Sequence, residues 1–176
     1  MGTVTNVIVG VAKLYIKYPI GGNYVDVGFT EDGVKVEYSV SKINIKVEEL
    51  SYPIKSVIDT EEFKVTANLA EATMRNLFLA MAGASQVGNA ITIGNSLDKE
   101  MSVKIVSKNP AGFDRTIEIP VAVASGSVSL SSKLTQKTVV PVTFEAMMSP
   151  SGVLATIASV SAPVIVKMDF LIDVPR

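Results

Sequence analysis

The most regular alternation of hydrophobic and polar positions lies between Val34 and Gly83, VKVEYSVSKINIKVEELSYPIKSVIDTEEFKVTANLAEATMRNLFLAMAG. Val34, Val36, Tyr38 and Val40 alternate with Lys35, Glu37 and Ser39, which predicts a strand with one apolar face. Past Ser41-Lys42 the apolar set moves to Ile43, Ile45 and Val47. A period of two changes phase only where a residue is inserted or the strand bends, so a bulge or kink is expected there. Phe63, Val65, Ala67 and Leu69 then alternate with Lys64, Thr66 and Asn68 as a return strand. Two strands with one wet face each, followed by a single helical stretch, predict a mainly β (α+β) fold. We expect an antiparallel β-sandwich or barrel of two sheets, one flanking helix over about 69–82, and extended loops.

The helix carries its own signals. Asn68 and Glu71 have capping-box spacing, with Asn68 also able to close the strand before it. Ala70, Met74, Leu77 and Met81 form the expected core stripe, and Gly83 stands where a helix C′ residue belongs. Phe78, Leu79 and Ala80 extend apolar character around the last turns. Such an end is either deeply buried in its own domain or covered by a neighbouring subunit.

Around this block the chain reads as further strands. Residues 4–18 alternate loosely with a break near Gly10, PIGGN is turn chemistry, and Tyr24–Phe29 predicts a short strand closed by a tight Glu31-Asp32-Gly33 turn. The segment Glu48–Thr60 reads as a polar loop with apolar Ile54, Val57 and Ile58. A loop of that kind either reaches a partner or tucks back on its own sheet. Strands are expected over Ala90–Ile93, Met101–Ile105, Ile117–Val123, Val140–Met148 and Val164–Ile172. Pro120 and Pro141 favour an edge, a bulge or an interrupted ladder. SPSG at Ser149–Gly152 predicts a turn or exposed tip. No repeat or linker divides the 176 residues, so a single domain is expected, with residues 1–27 and 153–176 as extensions.

Composition narrows the function classes. Hydrophobic residues make up 48% and charged residues 19%, below the ~25% charge of a typical soluble domain. An unusually large core or surface buried on assembly would explain this, and assembly is the better fit for a chain of this size. No apolar run approaches the ~18 residues of a membrane span, and the start MGTVTNVIVG lacks the basic and apolar regions of a secretory signal. There is no Cys, His or Trp. That removes disulfides, thiolate or imidazole metal ligands, and any mechanism with a His base or a Ser-His or Cys-His nucleophile. Sixteen basic and seventeen acidic residues are evenly mixed, without the basic stripe of a tight DNA binder. Ser39-Val-Ser-Lys42 and Ser96-Leu-Asp-Lys99 fit Ser-x-x-Lys, yet neither has the companion motifs of such enzymes. Glu48, Glu49, Asp59, Glu61 and Glu62 bracket one loop and read as its solvated base. No enzyme activity and no cofactor or metal are expected.

The strand, loop, strand and then LAEATMRNLFLAMAG resemble the tail tube proteins of long-tailed bacteriophages and related injection machines. There an EE-flanked strand runs into a short helix bearing a T-x-x-N-L element, here Thr73 to Leu77. RTIEIPVAVASG and KTVVPVTFEAMMSPSG are similar to that family's second strand pair, which ends in a variable tip. The resemblance spans about 28–152. It implies hexameric rings stacked into a hollow virion tail tube, assembled in the host cytoplasm, through which DNA passes without specific binding. It also implies tail terminator, baseplate or tip, and tape-measure or sheath proteins as partners. An inner tube of a phage-tail-like bacteriocin or of a contractile injection or secretion system is the near alternative. A non-enzymatic β-sandwich binding module is the distant one. The expected assembly residues are Glu48, Glu49, Tyr52, Ile54, Val57, Ile58, Phe78 and Leu79. Expected lumen-facing positions are Glu37, Lys64, Thr66, Glu118 and Thr143.

Overall fold

A computed structural model describes residues 12–48, 52–94, 98–108, 114–130 and 138–160. The elements are β1 (Ala12–Lys17), β2 (Val25–Asp26), β3 (Thr30–Ile45), β4 (Lys55–Leu69), α1 (Met74–Ala80), β5 (Ala84–Val87), β6 (Ala90–Ile93), β7 (Met101–Ser107), β8 (Asp114–Ser125), β9 (Val140–Ala146) and β10 (Thr156–Val160). The fold is mainly β, as the alternation predicts. Eight strands form one antiparallel sheet in the order β2-β1-β7-β8-β9-β4-β3, with β10 on β8, and β5-β6 form a separate hairpin. The expected strand over Val164–Ile172 lies outside the described residues, as does the chain before Ala12.

The main sheet curls until β1 approaches β3 from the far end of the strand order. Its concave face holds the core: Leu14 and Ile16 from β1, Val65 and Leu69 from β4, Val103 and Ile105 from β7, Ile119 from β8, and Val140 and Phe144 from β9. Alternation alone puts these side chains on one face. Helix α1 closes the open side, and Tyr18 meets Phe78 edge to face at 5.3 Å between ring centres.

Three local expectations are corrected. The helix begins at Met74, not near Leu69, because Asn68 and Leu69 stay in β4 opposite Glu31 and Thr30. Thr73 is the N-cap, its hydroxyl accepting from the Asn76 N–H at 3.1 Å, and Glu71 instead accepts from the Phe29 N–H. The buried helix residues are Asn76, Phe78, Leu79 and Ala80, whereas Met74 is exposed. Two turns are too short for a full core stripe; the helix inserts its C-terminal end. Lastly, Asp32-Gly33 closes no hairpin. Both residues have positive φ, yet β4 pairs on either side of them, so they form a bulge inside β3.

The phase change at Ser41-Lys42 coincides with a register shift, Ser41 facing Thr60 and Lys42 facing Ile58. The extra residue, Asp59, belongs to β4, and its carboxylate accepts from the Ser41 hydroxyl at 3.1 Å. Pro120 sits at the β8 bulge opposite Ser102 of β7, and the Ser102 hydroxyl donates to its carbonyl at 2.7 Å. Pro141 precedes the first β9 residue that pairs with β8, Thr143, so its missing N–H interrupts no bond of that ladder. Ser149–Gly152 forms the expected turn, with the Gly152 N–H on the Ser149 carbonyl at 2.9 Å.

Candidate functional site

Two surfaces come from the long β3-β4 hairpin. β9 pairs with β4 only from Lys64 to Leu69; from Lys55 to Phe63, β4 pairs with β3 alone among the described residues. Those nine positions make an arm of roughly 30 Å at ~3.3 Å per residue. Much of the stretch read as a polar loop, Glu48–Thr60, is therefore strand. The register shift makes the arm apolar on the face that is polar nearer the body. Ile43 stands opposite Val57, 57% and 43% exposed, with Ile45 and Ile54 exposed beside them. Lys42 and Ile58 pair on the reverse face. Among the described residues, apolar side chains stand exposed on both faces of this two-stranded arm, which marks a contact surface.

Of the assembly candidates, Glu48, Tyr52, Ile54, Val57 and Ile58 are exposed on or beside this arm. Glu49 lies outside the described residues. Phe78 and Leu79 are corrected: Leu79 is 1% exposed and Phe78 is buried against Tyr18. The apolar end of the helix is covered within its own chain.

The lumen candidates share one surface, the convex face of the sheet. Lys64 is opposite Glu37 and Glu145, Thr66 opposite Lys35 and Thr143, and Glu118 opposite Lys104. Charges alternate across it. Lys64 Nζ lies 2.8 Å from Glu62 and 2.9 Å from Glu145, and Lys35 lies 2.7 Å from Glu37. Hydrogen bonds to Glu62 and Glu145 raise the Lys64 pKa, and Lys64 in turn lowers that of Glu62. Tyr24 donates to Glu118 at 2.6 Å beneath Lys17 and Lys104, and burial followed by the Glu118 bond raises its pKa. Lysines already matched to carboxylates have little left to offer a phosphate backbone.

The loop carboxylates do not converge. Asp59 takes Ser41, Glu61 takes Tyr38 and Glu62 takes Lys64. Ser39 and Lys42, three apart on one strand, fall on opposite faces, and Ser96 is outside the described residues.

Sequence reasoning missed Asn76 and Lys99. Asn76, 4% exposed, donates from Nδ2 to the carbonyls of Val27 and Glu71, both at 2.9 Å. It ties α1 to the segment after β2, which gives the T-x-x-N-L element a physical reason. Its only signal was its place in that T-x-x-N-L element, which did not say what the amide bonds. Lys99 borders a cavity of about 780 Å³ with Tyr18, Arg75 and Phe78. Its Nζ donates to the Phe78 carbonyl near the helix C-terminus and lies 3.8 Å from the Phe78 ring centre. Burial nevertheless pulls its pKa down to about 8.

The Lys99 shift has a testable sign. Unfolded chains hold this proton up to about pH 10.4, the folded chain only to about 8, so folding is opposed below pH 8 and relieved above it. Urea unfolding is expected to show stability rising by about 2 kcal/mol between pH 8 and 10 relative to Lys99→Met. A flat difference between the two proteins contradicts the buried amine. Above pH 10 the raised Tyr24 pKa acts in the opposite sense, because the unfolded phenol ionises first.

The chain matches no protein-family model and no curated protein. Among solved structures it is similar to a chain of the "tail of empty GTA particle computed with helical refinement, C6 symmetry". That match has 5% identity and a TM-score of 0.48, covering 78% of this chain and 91% of the other. It is also similar to a chain of the "anti-feeding prophage (AFP) baseplate, 6-fold symmetrised", with 11% identity and a TM-score of 0.46, covering 82% and 92%.

Proposed function

We propose that the protein is a non-enzymatic structural subunit of a phage-like tail, a tube protein whose copies close into six-membered rings that stack around a DNA conduit. The observation that carries this reading is the arm: paired strands projecting past the body, apolar on both faces, with Ile43 and Val57 exposed opposite each other. The convex face supports it, since Glu37, Lys64, Thr66, Glu118 and Thr143 lie together among interleaved charges suited to a wall that does not hold nucleic acid. Among the described residues β2 and β3 end the strand order, a position that suits sheet continuation into a neighbouring copy. In this role the arm contacts the adjoining ring, and tail terminator, baseplate and tape-measure or sheath proteins are the partners. The same geometry serves an inner tube of a bacteriocin or injection system.

Size-exclusion chromatography and negative-stain microscopy of the purified protein test this. Rings or tubes are expected; a compact 18.7 kDa species at high concentration would refute the tube and favour a monomeric binding module.

A further inference from the structure

The arm and the Lys99 cavity stand at opposite ends of the molecule. β4 runs from the arm at Lys55 to Leu69 and leads into α1. From β4 through β9, β8 and β7 to β1, each strand is antiparallel to the one before it. The end of β1 and the start of β7 therefore share the Leu69 end of the sheet, and Tyr18 and Lys99 lie just beyond them. The length of β4 separates arm from cavity by roughly 45 Å at ~3.3 Å per residue. Such distant features of one chain meet when copies stack head to tail in a heterologous contact.

The cavity carries charge that its own walls do not balance. Tyr18, Arg75, Phe78, Ser85, Asp98 and Lys99 border it, two cations against one carboxylate among the described residues. Lys99 is 7% exposed, and its ammonium meets the Phe78 carbonyl and ring but no carboxylate among those residues. Burial accordingly holds its pKa down to about 8. Arg75 is exposed near the start of α1 and also makes no ion pair among the described residues. A buried cation without a partner is unfavourable, and a carboxylate brought to it relieves the penalty.

The arm offers the complement. Over residues 46–52 the chain reads KVEELSY, one lysine against two glutamates with a tyrosine at the end. Glu48 and Tyr52 are both exposed. An acid close in sequence to an aromatic ring suits walls made of Tyr18 and Phe78 with Arg75 and Lys99 beside them. At about 780 Å³ the cavity falls within the ~300–1,000 Å³ of sites that enclose a small molecule, room enough for two side chains. We infer that the cavity of one copy receives Glu48 and Tyr52 from the arm of the copy stacked on it, the carboxylate pairing with Arg75 and Lys99. The inference rests on the proposed stacking of rings and names the surface that the arm meets.

Two measurements on the full-length protein test this docking. Glu48 and Arg75 are exposed, so reversing either charge leaves the fold intact. Glu48→Lys and Arg75→Glu should each raise the concentration needed for tubes at least ~10-fold, and together return it to within ~3-fold of wild type. Losses that simply add in the double variant would overturn the pairing. Because the chain has no cysteine, Ser85→Cys also places a single thiol in the cavity wall. Maleimide should label that thiol at least ~10-fold more slowly in tubes than in free subunits. Equal labelling would overturn the docking. So would protection that survives in tubes whose arm carries Glu48→Lys with Tyr52→Ala, because another segment then covers the cavity. Either result leaves the tube reading standing, whereas wild-type protein that forms neither rings nor tubes overturns both.

Discussion

Replacing Asn76 with Asp is expected to destabilise the fold by about 2–4 kcal/mol at neutral pH, the largest effect of any near-isosteric change in the helix. The carboxylate keeps the shape but has no N–H, so the Val27 and Glu71 carbonyls lose their donor and face a charge instead. Asn76→Ala should cost slightly less, because it leaves unsatisfied carbonyls without adding a buried anion. Met74→Ala, on the exposed side of the same helix, should change stability by less than ~0.5 kcal/mol. Urea titrations followed by circular dichroism measure all three. A loss under ~1 kcal/mol for Asn76→Asp would mean that the two hydrogen bonds do not hold α1 to the segment after β2.

The second large effect falls on assembly. Ile43→Lys combined with Val57→Glu replaces an exposed apolar cross-strand pair by an opposite-charge pair, which strands tolerate. Folding stability should therefore change by less than ~1 kcal/mol. If a neighbouring copy covers both side chains, burial contributes ~1.5–3 kcal/mol for each. The concentration needed for polymerisation should then rise by at least ~100-fold. Sedimentation of tubes against protein concentration reads this directly. Unchanged polymerisation would remove the arm from the contact between rings, while rings without tubes would locate its role in stacking.

The two experiments separate what a local pattern can announce from what it cannot. The alternation of Val34 to Val40 and of Phe63 to Leu69 announced β3 and β4, and the phase change at Ser41-Lys42 announced the register shift. The pattern did not say which strand holds the extra residue, because Asp59 and Lys42 can be compared only once the strands are paired. It also read Lys55–Thr60, the start of β4, as part of a loop over Glu48–Thr60. Such an arm has no buried face to impose a clean period. The Asp-Gly at 32–33 has the residue types of a hairpin turn, and only β4, continuing on both sides of it, converts it into a bulge.

For the site, residue type was enough to exclude His- and Cys-based chemistry and to collect Glu37, Lys64, Thr66, Glu118 and Thr143 as polar strand positions. That they share one face follows from pairing register across β3, β4, β9, β8 and β7, to which a single strand is blind. Phe78 and Leu79 looked like contact residues because three apolar positions in a row exceed what one helix face can hide. The curled sheet and Tyr18 cover them.

Sequence alone determined the class of fold and the absence of thiol and imidazole chemistry, because period-two alternation and composition are properties of neighbouring residues and of totals. The tertiary structure decided where Asn76 and Lys99 bond and which face of the arm is apolar. Each of these depends on residues tens of positions apart meeting through strand pairing, and no local period encodes that.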